Sequence, residues 1–202
     1  MSCTSSTLYK SIEACPGQKT LAGIRRRLYY IDKKSIAAFP KLGDLGDSPA
    51  PTEMAALAKL KGDFTLQGDA VFNFIDLKDD ASNVTFETVG EDGSKLFNNQ
   101  ANAIVTGLSD DVKGFARQAV NDDLVFVYQD RAGKFCVLGN EMFKLHVTPS
   151  GDTGSEVTGT ITATFAIQVY DECPVPTYTG KLKIAANRQI DCATGEEEAI
   201  SQ

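Results

Sequence analysis

Val157–Val169 reads VTGTITATFAIQV, and its alternation decides the fold class. Apolar side chains fall at Val157, Ile161, Ala163, Phe165, Ile167 and Val169, all odd positions. Thr158, Thr160, Thr162, Thr164 and Gln168 take even ones. Side chains of a strand alternate between the two faces, so this is a period-2 pattern with one apolar face and one threonine face. Thirteen residues at roughly 3.3 Å each would span about 40 Å. Typical strands run about 5–6 residues. A strand of that length, with a uniform threonine face, suits a large sheet or an intersubunit barrel better than a small closed domain.

The flanking segments extend the β reading. Leu124–Gln129 is apolar on both faces, and Asp130-Arg131-Ala132-Gly133 turns it into Lys134–Leu138. A short strand is expected over 142–147, with a loop over 150–155. Val84–Val89 and Leu96–Val105 flank Glu91-Asp92-Gly93-Ser94, whose Asp-Gly is a strong hairpin signal. The polar run 98–102 suggests a break in the second of these strands. Val71–Leu77 reads as a covered strand, and Ile24–Ile31, IRRRLYYI, as another. One helix stands out at Ser109–Asn121: Ser109 is a good N-cap, Asp110 and Asp111 complement the helix dipole, and Val112, Phe115, Ala116, Ala119 and Val120 form one apolar face. The expected fold is therefore mostly β (α+β), with two packed antiparallel sheets in a sandwich or barrel and a flanking helix.

Two terminal regions lie outside that body, and one long loop lies within it. Residues 1–20 read as an irregular N-terminal arm and 181–202, ending in GEEEAISQ, as a solvated tail, leaving 21–180 as the β domain. Residues 39–52, FPKLGDLGDSPAPT, hold three prolines and two glycines, and Thr52 is placed to cap a short helix, EMAALAKL. A loop of this length in a compact domain is usually functional. We expect 39–61 to contact neighbouring subunits through Phe39, Leu42, Leu45, Met54, Leu57 and Leu60.

Composition narrows the function. The 202 residues are 42% hydrophobic and 23% charged, ordinary for a globular protein. No apolar run approaches the ~20 residues of a membrane span. The N-terminus lacks the basic start and apolar block of a signal peptide, so we expect the chain to stay in a cytosol or leave it inside an assembly. Five cysteines, odd in number and without a C-x-x-C pair, fit neither a disulfide framework nor a zinc site. The net charge of −7 argues against gripping nucleic acid, whose binding rests on Lys and Arg.

Signatures of chemistry are missing. His146 is the one histidine, so Ser–His–Asp and Cys–His catalysis both depend on a residue in a plain alternating run, KLHVT. The sequence has no P-loop, no G-x-G-x-x-G after a strand and no nucleophile elbow. Asp76, Asp79 and Asp80 lack the spacing and closing Glu of a Ca²⁺ loop and read as a solvated turn. Arg25 and Arg27 should face away from Arg26 on a strand, which makes intersubunit salt bridges or an exposed edge the better reading than an anion site. We expect no catalytic, cofactor-binding or metal-binding residues.

The run Gly114–Gly180 resembles the tail-tube and major tail proteins of bacteriophages, particularly those of Bacteroides-type prophages. The resemblance is carried by NDDLVFVYQDRAGKFCVLGN after the helix, then TGTITATFAIQVYDE, then PVPTYTG, with CPG…GIRRRLYYIDKKSIAAFP resembling the opening of such proteins. It covers about two-thirds of the chain. It implies a non-enzymatic virion subunit forming rings, usually hexameric, that stack into a hollow tube with other tail proteins at its ends. The resemblance also implies that the row of Thr158, Thr160, Thr162 and Thr164 faces the lumen or a neighbouring subunit. DNA would pass through the lumen without specific binding, and assembly would occur in the host bacterial cytoplasm. Type VI secretion and contractile injection tubes share the implied fold. Alternatives are a tail terminator, a head decoration protein, a small-molecule-binding β-barrel and an enzyme with an unrecognised site.

Overall fold

A strand can extend only as far as its neighbours offer hydrogen bonds, and this sets the limits of the long alternating segment. The computed structural model describes residues 7–14, 16–17, 21–157 and 159–200. In chain order the strands are β1 (Ile24–Asp32), β2 (Ile36–Ala38), β3 (Lys41–Leu42), β4 (Lys59–Lys61), β5 (Thr65–Leu66), β6 (Asn73–Asp76), β7 (Asn83–Val89) and β8 (Leu96–Thr106). The helix α1 (Asp110–Ala119) follows, then β9 (Leu124–Asp130), β10 (Phe135–Leu138), β11 (His146–Asp152), β12 (Thr162–Asp171), β13 (Thr177–Tyr178), β14 (Lys181–Ala185), β15 (Arg188–Asp191) and β16 (Glu196–Ala199).

Two sheets form the body. One has seven strands in the order β3-β4-β13-β10-β9-β1-β6, antiparallel except for the β4–β13 pair. The other is antiparallel, in the order β11-β12-β8-β7. Alternate residues of β9 serve two cores. Leu124, Phe126 and Tyr128 face the four-stranded sheet, where they meet Ala103, Phe165, Ile167 and Val169. Val125 and Val127 face the opposite way, against Phe64, Phe72, Tyr178, Leu182 and Ile190. An apolar run on both faces is the pattern of a strand covered on both sides, as the sequence of 124–129 indicates. The fold is mostly β, a sandwich with one flanking helix. Among the described residues no sheet closes on itself, so the barrel alternative and the enclosed ligand barrel are not formed.

The helix sits as its pattern requires. Ser109 Oγ accepts from Val112 N at 3.3 Å, capping the first turn. Phe115 packs edge-on against Tyr30 and Phe165, with centroids 4.9 and 5.2 Å apart. Val120 lies beyond the last turn and is 50% exposed.

Several expectations are corrected. The long strand starts at Thr162, because β11 ends opposite it at Asp152 and β8 at Thr106. Val157 and Ile161 therefore continue the alternation without a partner strand and are exposed. The strand expected at 142–147 lies at His146–Asp152, taking in part of the expected loop, and Met142 is exposed. β8 is unbroken through Asn98–Asn102, because this run pairs with β12 on one side and β7 on the other, while the Asn98 and Asn99 amides donate to Glu87 Oε1 and Cys173 O. β6 is a short sheet edge with Phe74 exposed; the buried residues of that stretch, Phe72 and Leu77, flank it. The segment after Thr52 forms a 3₁₀ turn at Met54–Ala58, with no side-chain capping bond. The description of 181–202 as a solvated tail fails: β14, β15 and β16 form a meander that buries Leu182, Ile190 and Cys192 in the second core.

Candidate functional site

The threonine row lies on the outer face of the four-stranded sheet. Of its expected members, Thr162 and Thr164 are in β12 and half-buried. Thr160 precedes the strand and is exposed, and Thr158 lies outside the described residues. Register extends the face into cross-strand rows: Asp152–Thr162–Thr106, Ser150–Thr164–Ile104, Thr148–Ala166–Asn102–Asn83, His146–Gln168–Gln100–Thr85, and Tyr170–Asn98–Glu87. Side-chain bonds knit these rows, with Asn98 Nδ2 and Gln100 Nε2 each donating to Glu87 Oε1 at 2.8 Å. The charged members of these rows are Glu87 and Asp152; none is Lys or Arg. Sequence reasoning found the β12 row but missed its Asn and Gln partners on β8, which the apparent break at 98–102 concealed. Both edges of this sheet, β11 and β7, carry unpaired backbone groups among the described residues.

The 39–61 segment is tied to the seven-stranded sheet. β3 pairs β4, β4 runs parallel to β13, and the chain comes so close that a Cβ on Gly43 would lie 2.6 Å from Ala56 O. Phe39, Leu42 and Leu60 come together in one groove of about 340 Å³, with Met142, Pro176 and Asp171. Phe64 anchors its floor by edge-on contact with Phe39 and Phe72, at 5.8 and 5.4 Å. Leu45, Met54 and Leu57 do not line the groove; each is half-buried within the same segment. Asp171 is 6% exposed, and burial raises its carboxyl above the ordinary value, opposed by hydrogen bonds from the Asn140 side chain and the Cys173 and Glu172 amides.

The arginine triplet differs from simple alternation. β1 advances four residues from Ile24 to Leu28 while β9 advances two, from Asp130 to Tyr128, so the strand bulges. Arg25, Arg26 and Arg27 consequently line one open depression of about 400 Å³, with Tyr29, Asp76 and Gln129. Arg26 Nε pairs with Asp79 at 3.2 Å, and Arg27 Nε with Asp76 at 3.4 Å. Arg27 also lies 4.1 Å from the Phe74 ring centroid. The partners of Arg27 are thus in its own chain, while Arg25 has no ion pair among the described residues. Asp80 pairs with Arg131, so all three aspartates of the 76–80 turn are engaged by arginine.

Three cysteines, Cys136, Cys173 and Cys192, are free and buried. Burial pushes the Cys173 thiol up to about 11 and that of Cys192 to about 12, which suppresses the nucleophilic thiolate. His146 is exposed in β11 opposite Gln168. Among the described residues no helix is long and apolar enough to cross a membrane. Comparison with protein-family models, curated proteins and solved structures finds no match to this chain.

Proposed function

We propose that this chain is a non-enzymatic structural subunit that assembles with its own copies into stacked rings, forming the hollow tail tube of a phage virion. One observation carries the reading: the four-stranded sheet joins two open edges to a broad, nearly neutral face of Thr, Ser, Asn and Gln. An open edge is a template for pairing with another chain. Edge pairing of β11 on one subunit with β7 on the next would continue the sheet around a ring and turn its polar face to the bore.

The remaining elements of the proposal come from the resemblance to tail-tube proteins. Rings are hexameric on the family pattern, other tail proteins close the tube, and assembly takes place in the host bacterial cytoplasm. DNA passes along a wall whose charged side chains on this face, Glu87 and Asp152, are acidic. Such a wall offers phosphate no cation to hold it. The same geometry would serve an injection-system tube.

Sedimentation velocity over a wide concentration range tests the proposal. The 21.7 kDa species should give way to a ring-sized boundary as concentration rises. A single monomer boundary up to millimolar concentration would overturn it.

A further inference from the structure

Residues 7–14, TLYKSIEA, form neither helix nor strand, and Tyr9 and Ile12 are 88% and 86% exposed. Tyr9 and Ile12 thus leave hydrophobic surface with little cover in their own subunit, while Leu8 is half-buried and the arm's charged side chains are Lys10 and Glu13. The groove beside the 39–61 segment has the complementary deficit. Its apolar lining of Phe39, Leu42, Leu60 and Met142 opens to solvent, with Met142 64% exposed. Its rim carries the exposed carboxylates of Asp44, Glu141 and Glu172, none in an ion pair among the described residues, against one lysine, Lys41.

From this complementarity we infer that the groove binds the N-terminal arm of a second copy of the chain, Tyr9 and Ile12 entering it and Lys10 meeting the carboxylate rim. The inference rests on the self-assembly reading and adds the contact that links one subunit to the next. In a polyproline-type extended chain, with three residues per turn, Tyr9 and Ile12 project to one side about 9 Å apart. Lys10, adjacent to Tyr9, then reaches the rim. The bulk of the affinity comes from burial of the aromatic anchor, and the ion pair sets register and partner choice. Two of the other open depressions fit the arm less well on charge. The arginine-lined one repels Lys10, and the one between α1 and β11, lined by Leu108, Val112 and Phe165, presents Lys113 in place of carboxylates.

The test uses the full chain with benzoylphenylalanine in place of Tyr9, mixed with an isotopically heavy wild-type copy and irradiated under assembling conditions. Cross-links should join the light arm to residues 39–42 or 139–142 of the heavy chain. Tyr9→Ala should raise the concentration for half-assembly about tenfold. Lys10→Glu should raise it about threefold, the scale of an exposed ion pair, and adding Glu172→Lys should restore it. Circular dichroism should match wild type for each variant, because Tyr9, Lys10 and Glu172 are all exposed in their own subunit. Cross-links confined to single chains, or mapping away from the groove, overturn the inference. So does unshifted assembly of Tyr9→Ala, which leaves self-assembly itself standing. A chain that never assembles defeats the tube reading first and this contact with it.

Discussion

Replacing Asn99, which lies on the buried face of β8 opposite the polar rows, with alanine should be among the most destabilising single changes on that strand. The side chain is fully buried; its Nδ2 donates to Cys173 O at 3.0 Å and its Oδ1 accepts from Val175 N at 3.2 Å. It therefore clamps the 173–175 turn, where Val175 sits at a left-handed φ of 44°, onto the sheet. Alanine removes both bonds and leaves a buried amide and carbonyl unpaired. Each orphaned group costs about 1–3 kcal/mol, and partial relaxation brings the expected total to about 2–4 kcal/mol. For a domain of this size each kcal/mol lowers Tm by about 2–4 °C, so the melting point should fall by roughly 6–12 °C for a loss near 3 kcal/mol. Guanidinium unfolding at equilibrium measures the free energy directly, with calorimetry for Tm. Asn102→Ala, three residues along and exposed, breaks only a 3.4 Å bond to Asn83 and should stay within about 0.5 kcal/mol. A loss under 1 kcal/mol for Asn99→Ala, or equal losses for the two variants, would refute the clamp.

Further outcomes follow from burial and charge. Leu182→Ala should cost about 2–4 kcal/mol in the same unfolding assay, because Leu182 is fully buried in the second core; a neutral result would restore 181–202 to the status of a tail. Cys136, Cys173 and Cys192 should resist alkylation at pH 8 in the native state and react only on unfolding, as mass spectrometry of the modified peptides will show. Asp171 has a folded-state pKa raised by burial, so the folded state holds its proton more tightly than the unfolded chain does. Stability is then lost as pH rises from the ordinary value of 3.8 through the folded-state value. Asp171→Asn should gain stability over wild type across that window and above it, with the difference flat below; a difference independent of pH in denaturation curves would contradict the assignment.

Much of this fold is legible in the chain because its signals are local. The two-faced apolar run at 124–129 announces a middle strand, the Asp92-Gly93 turn fixes the β7–β8 hairpin, and the capped amphipathic pattern at 109–120 places α1. What stays hidden depends on distant partners. Alternation over 157–161 continues in sequence, yet β8 and β11 have already ended, so no strand forms there. The bulge between Ile24 and Leu28 carries no glycine or proline to mark it, so the gathering of the three arginines around one depression has no sequence signal. The 196–198 glutamates look like a solvated end, although the strand they occupy covers a meander held by Leu182, Ile190 and Cys192. Of the residues expected at subunit contacts, Phe39, Leu42 and Leu60 converge in one groove because β3, β4 and β13 pair; the carboxylates that rim it come from 44, 141 and 172, too far apart in sequence to be read as one feature.

Electron microscopy of the purified chain at high concentration bears most directly on the central claim of self-assembly into a tube. The account predicts rings or stacked tubes in which the face bearing Thr162, Thr164, Gln100 and Asn102 lines the bore and β11 of one subunit adjoins β7 of the next. Smooth monomers at every concentration, or an assembly whose bore is lined mostly by Lys and Arg from another face, would contradict it.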